Sequence, residues 1–267
     1  MRAHLVQFDI AWEDKPRNYA RVRRLIADAA EAGRLRPGDL AVLPEMFDTG
    51  FSFTLDRTAD RDGKTLAFIR EVAAEFRITL HGGRTVVGPD GRGLNLATIA
   101  GPDGAVLAEY AKVHPFTYGR EGEFFTGGDR VVTYAWRADE GRTLTVCPAV
   151  CYDLRFPELF RQGLMMGAEA FALGANWPAP RAHHWRALLI ARAIENQAFV
   201  FGVNRCGNDP HLAYAGGSIA VGPKGDVLGE MGGEEGVLSV DVDVAALREW
   251  RETFPAWKDL RLIKPTT

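Results

Sequence analysis

Apolar residues along the 267-residue chain follow two periodicities, and the alternation between them predicts strands interleaved with helices. A strand-like run starts at Met1 and reaches Val6-Gln-Phe-Asp9. Val22, Leu25, Ile26 and Ala29 then recur at i, i+3, i+4 and i+7, one face of a helix that Gly33 can close. Leu40-Ala-Val-Leu43 is uniformly apolar, as a fully buried strand is, and ends at Pro44-Glu45. A second helix is expected over 64–76, followed by short strands at 78–81, 84–87, 94–100 and 106–110. Pro-Asp-Gly turns at 89–91 and 102–104 mark hairpins.

Residues 113–128 mix Gly, Pro and charge without a period, so a long, site-shaping loop is expected there. Beyond it the order repeats, with strands at 131–136 and 144–150, a helix over 157–166, a strand at 170–173 and a helix over 181–196. Strands at 199–203 and 218–221, a Pro223-Lys-Gly225 turn and a last strand at 237–240 complete the set. Interleaving in both halves predicts an α/β fold of two sheets packed face to face with helices outside. The helix ending at Asn196 carries Trp185, Leu188, Leu189, Ile190 and Ile194 on more than one side. That fits either deep burial in the monomer or a contact between subunits of a homodimer. From Ala245 onward, a tail with Trp250, Phe254 and Trp257 has enough apolar surface to dock on the body or on a partner subunit.

Composition narrows the function classes. With 46% hydrophobic residues and no Ser/Gly/Pro-rich divider, residues 1–267 are expected to form one domain. A net charge of −3 with intermixed signs leaves no basic stripe for nucleic acid. The first residues lack the apolar core and cleavage site of a secretory signal, and no apolar run reaches membrane-spanning length. A cytoplasmic protein with no membrane partner is therefore expected. Cys147, Cys151 and Cys206 form no disulfide or zinc spacing, so reduced thiols and no metal are expected.

Candidate chemistry centres on Cys151. It ends the apolar run Leu144-Thr-Val-Cys-Pro-Ala-Val150 and precedes Pro157-Glu158, which reads as the first turn of a helix. Unpaired backbone N–H groups and the positive dipole end at such a position favour a thiolate and, later, an oxyanion. A buried, inert cysteine is the plainer reading of any lone thiol. The six histidines, His4, His81, His114, His183, His184 and His211, have no neighbourhood that marks a base. Glu45 is delivered to a strand end in an apolar setting that is expected to raise its pKa toward that of a base, unless it is a solvated strand-end carboxylate. Lys112 stands at the mouth of the long loop, where a solvated surface lysine is the competing reading.

Taken together, these three residues close predicted strands that converge on one face. The constellation resembles the carbon–nitrogen hydrolase (nitrilase) superfamily, in words that run Leu-Pro-Glu-Met-Phe47, Ala-Lys-Val-His114 and Cys-Tyr-Asp-Leu-Arg-Phe-Pro-Glu158. Ala175-Asn-Trp-Pro-Ala-Pro-Arg181, His184-Trp185 and Ala191-Arg-Ala-Ile-Glu-Asn-Gln197 are similar to the omega-amidase group. The resemblance implies a four-layer α-β-β-α sandwich and hydrolysis of the terminal amide of 2-oxoglutaramate or related monoamides such as succinamate. No cofactor or metal is implied; a homodimer or higher homo-oligomer is expected from the apolar helix ending at Asn196 and the tail.

By the same resemblance, Glu45 is the proton acceptor, Cys151 the nucleophile, and Lys112 the oxyanion donor together with the backbone N–H of Tyr152. A second glutamate is implied in the loop at Glu121, with Glu123 as the alternative. The substrate's far carboxylate calls for a cation, which Arg155 or Arg181 can supply as a bidentate fork, and Trp177 and Phe116 are candidate pocket walls. For Arg155 an ion pair with Asp153 or Glu158 is the competing role. Other amidases of the superfamily, acting on deaminated glutathione, N-carbamoyl compounds or aliphatic amides, stay open at this point. So does a catalytically silent binding protein of the same fold.

Overall fold

The computed structural model describes residues 1–138 and 141–262. The last five residues of the predicted tail lie outside them.

Two mixed six-stranded sheets carry the chain. The first runs, edge to edge, β14 (Gly236–Asp241), β1 (Arg2–Gln7), β2 (Leu40–Val42), β3 (Thr79–Val87), β4 (Gly93–Ala100) and β5 (Val106–Ala111). The second runs β13 (Val227–Glu230), β12 (Ile219–Val221), β9 (Phe199–Asn204), β8 (Ala170–Ala175), β7 (Thr143–Val150) and β6 (Tyr134–Arg137). In each sheet three central strands are parallel and the flanking ones antiparallel. Helices α1 (Lys15–Glu31) and α3 (Lys64–Phe76) cover the first sheet, and α5 (Pro157–Met165) and α6 (Ala182–Asn196) the second.

Period-2 alternation builds the layers. In β2, Leu40 and Val42 enter the core between the sheets beside Val146, Ala172 and Phe201, whereas Ala41 and Leu43 join Val22, Ile26 and Val72 under the helices. This is the α-β-β-α sandwich expected of the sequence. Short elements complete it: α2 (Leu55–Thr58), α4 (Glu121–Phe124), the hairpin β10 (Cys206–Asn208) and β11 (Ala213–Ala215), and α7 (Val244–Thr253).

Several expectations need correcting. The strands at 78–81 and 84–87 are one nine-residue strand, because Gly82 and Gly83 continue the ladder instead of breaking it. The loop 113–128 contains a 3-10 turn, Thr117–Gly119, and α4, both too short to leave a period. The strand expected at 131–136 starts at Tyr134, and β10, β11 and β13 were not anticipated.

The C-terminal segment lies on the body. Leu247 is fully buried, the Arg251 guanidinium donates to the carbonyls of Gln197 and Ala168, and Gln197 donates to the carbonyl of Phe254. On α6, Trp185 and Leu189 are buried, while Ile194 is half exposed. Among the described residues no helix is long and apolar enough to cross a membrane.

Because β2 is parallel to β3, and β5 returns to that direction through two antiparallel steps, β2 and β5 end at the same edge of their sheet. In the second sheet β7 and β8, being parallel, also end together. Glu45, Lys112, Cys151 and Asn176 follow these four strands.

Candidate active site

The structure brings Glu45, Lys112, Glu121 and Cys151 into one buried cluster, none of them more than 8% exposed. Lys112 Nζ donates to Glu45 Oε1 and to Glu121 Oε2, each at 2.8 Å. An ammonium carries three protons, so one remains for a ligand. The ring of Phe51 lies 5.3 Å from Nζ and screens it from water. Glu121 is held by the backbone N–H of Phe116 at 2.6 Å. Glu123, the alternative, is exposed and paired with Arg120.

Asn95 and Asn176 complete the carboxylate shell. Asn95 Nδ2 donates to Glu45 Oε1 at 2.8 Å and to Glu121 Oε1 at 3.0 Å. The backbone N–H of Asn176 donates to Glu45 Oε2 at 3.0 Å, and its side chain to the Glu45 carbonyl at 2.7 Å. Neither role was read from the sequence. The available signal was a lone Asn inside the apolar run 94–100, where an amide must find partners once buried.

Charge states differ from expectation. Burial alone would raise the Glu45 pKa, but Lys112 at 2.8 Å, with the hydrogen bonds from Asn176 and Asn95, holds it below the ordinary 4.5. The Cys151 thiol moves the other way. Its burial, reinforced by the Glu45 and Glu121 charges, pushes it well above its ordinary value despite Lys112. The resting site is thus a thiol beside an ionised Glu45, not the thiolate expected from a helix N-terminus. Between Cys151 and α5 lies a 3-10 turn, Cys151–Arg155, in which the N–H of Tyr152 precedes the first intrahelical acceptor.

Backbone strain collects here. Of six non-glycine residues with positive φ among those described, three are Cys151 (45°), Met46 (44°) and Arg120 (64°), at or beside the candidate residues. Asp153 anchors the turn that begins at Cys151: Oδ2 accepts from Tyr110 Oη and Val150 N, and Oδ1 from His114 N and Nδ1. His114 therefore fastens the turn to the chain that carries Lys112, and its ring stacks on Phe156 at 3.7 Å.

Glu45 is also gripped by two glycines. A Cβ on Gly83 of β3 would come within 2.6 Å of Met46 N, and one on Gly174 of β8 within 2.5 Å of Leu43 O and 2.7 Å of Glu45 N. Gly174→Ala is therefore expected to cost about 1–3 kcal/mol and to displace the carboxylate. Urea unfolding and turnover should both fall, and an unchanged pair of values would refute the close fit.

A narrow cleft of about 30 Å³ opens onto Cys151, lined by Phe51, Phe116, Tyr152, Arg155, Asn176, Trp177, Pro178 and Arg181. All five predicted pocket residues are among them. Arg155 stacks on Trp177 at 4.9 Å and donates to His184 Nδ1 at 3.2 Å, while Asp153 is engaged elsewhere. The Arg181 guanidinium lies 5.6 Å from the centroid of Phe116. Among the described residues no carboxylate is within ion-pair distance of either arginine.

Residues 2–252 match the carbon-nitrogen hydrolase family. The chain belongs to that family. The chain is 33% identical over 258 residues, 96% of either chain, to a 2-oxoglutaramate amidase of Bacillus subtilis. To the omega-amidase YafV of Escherichia coli K12 it is 33% identical, over 97% of this chain and 96% of that one. A CN-hydrolase superfamily protein from Xanthomonas campestris, solved with an arsenic adduct in its active site, superposes with a TM-score of 0.88 at 34% identity, over 100% of this chain and 99% of the other. This carbon–nitrogen hydrolase accordingly acts on C–N bonds of linear amides, with the nitrilase-superfamily fold.

Proposed function

We propose that this hydrolase is an omega-amidase that releases ammonia from 2-oxoglutaramate or related dicarboxylate monoamides of the succinamate type. The observation that carries the reading is a pair of guanidinium groups, Arg155 and Arg181, in the cleft beside Cys151 with no carboxylate to neutralise them. A substrate with a carboxylate at the end remote from its amide supplies that partner. The two amidase relatives support the same class.

In this reading Glu45 takes the proton of the Cys151 thiol as sulfur attacks the amide carbon. The tetrahedral oxyanion is held by the remaining N–H of Lys112 and by the N–H of Tyr152. As the C–N bond breaks, Glu45 returns the proton to the leaving nitrogen, giving ammonia and an acyl-thioester. Glu45 then takes a proton from water, which attacks the thioester, and the sulfur leaves with that proton as the acid departs. Glu121 keeps Lys112 oriented through its 2.8 Å bond.

Kinetics on 2-oxoglutaramate against deaminated glutathione test the substrate class, with faster turnover of the former expected and the reverse overturning it. Arg155→Met should raise KM for dicarboxylate monoamides by about 10–100-fold, the worth of one charge-assisted contact, with little change for neutral amides. Equal effects on both would make Arg155 a structural residue.

A further inference from the structure

Asn95 touches three members of the cluster. Its carbonyl accepts the backbone N–H of Lys112 at 2.9 Å, and its single amide nitrogen donates to Glu45 and to Glu121. It is 3% exposed, so the amide cannot turn to water for other partners. Its Oδ1 meets no donor among the described residues, and a flipped amide would set that oxygen against two carboxylates. The orientation is therefore dictated by the pair it joins.

The charge count explains why an amide stands there. Two buried carboxylates share one ammonium, and like charges in one site favour protonation of one of them. A neutral donor with two N–H bonds can serve both carboxylates: it shares Glu45 Oε1 with Lys112 and takes the Glu121 oxygen that Lys112 leaves free. An aspartate at 95 would add a third negative charge, and a leucine would leave the pair to repel.

We infer that Asn95 is a positioning residue for amide hydrolysis: it fixes the spacing of Glu45 and Glu121 about Lys112 and keeps Glu45 unprotonated, ready to take the thiol proton. The inference rests on Glu45 being the base. Without Asn95 a larger share of Glu45 is protonated at mildly acidic pH, and Cys151 loses its acceptor there.

The test follows the rate of Cys151 alkylation by iodoacetamide against pH, read by mass spectrometry, in the wild type, Asn95→Leu and Glu45→Gln. For N95L the acid limb is expected to move up by about one pH unit or more. At neutral pH the loss of geometry should slow ammonia release from 2-oxoglutaramate or succinamate by about 10²-fold. Part of that loss should be recovered as pH rises, which mere loosening of the fold would not produce. Should N95L not fold, Asn95→Ser, whose one hydroxyl can serve only one carboxylate, is expected to shift the limb in the same direction. A wild-type limb in a folded Asn95 variant, or a slowing equal at every pH, overturns the inference while Glu45 stands. An E45Q protein alkylated like wild type overturns the base itself, and the role of Asn95 with it.

Discussion

Cys151→Ala is expected to reduce amide hydrolysis to background, a loss on the order of 10⁶-fold, since an alanine offers no atom to form the proposed thioester. The fold should survive. Cys151 is nearly buried but its replacement removes a single sulfur, and alanine adopts the same positive φ at similar cost. Unfolding midpoints within about 1 kcal/mol of wild type are expected. Ammonia release measured beside urea unfolding checks both halves. In the wild type, brief exposure to substrate should leave an acyl mass on the peptide containing Cys151. A folded C151A protein that still turns over 2-oxoglutaramate would remove the thioester pathway.

Lys112→Met strikes activity and stability together. It removes the proposed oxyanion donor, worth about 10²–10³ in rate, and leaves Glu45 and Glu121 buried with no counter-ion, which costs about 3–5 kcal/mol. The pH dependence should also change sign. In the wild type the Glu45 pKa lies below 4.5, so the pair contributes stability above that value and loses it as pH falls through the folded pKa. In K112M burial is no longer opposed by the ammonium, so Glu45 titrates above its unfolded value. Stability is then gained as pH falls and lost as it rises. Urea unfolding at about pH 5.5 and pH 8 should show the variant closest to wild type at the lower pH. A constant gap between the two proteins would mean that the carboxylates do not depend on Lys112 for their charge.

The parts of this site that were legible in the sequence are those that end an apolar run. Glu45, Lys112 and Cys151 could be placed because β2, β5 and β7 are short and sharply bounded. Glu121 could not be separated from Glu123, because a four-residue helix shows no period and only folding turns one toward Lys112. Gly82 and Gly83 suggested a break, although Gly83 admits the close approach of the backbone at Glu45 and Met46, and Gly82 the side chains of Ile69 and Phe47. Charge states were out of reach for the same reason. Whether Glu45 or Cys151 holds the proton depends on partners at the ends of β5 and β8 and in β4, and the local signals, an apolar setting for Glu45 and a helix N-terminus for Cys151, pointed the other way.

The two glycines that flank Glu45 belong to opposite sheets, Gly83 to the first and Gly174 to the second. Glu45 is thus wedged in the seam, so a change in the separation of the sheets is expected to move its carboxylate. Close-packed interiors transmit displacement instead of absorbing it. A larger residue at Ala172, deep between the sheets and facing no part of the cleft, should therefore register in turnover before it registers in the fold. For this chain the rate of catalysis doubles as a ruler of core packing.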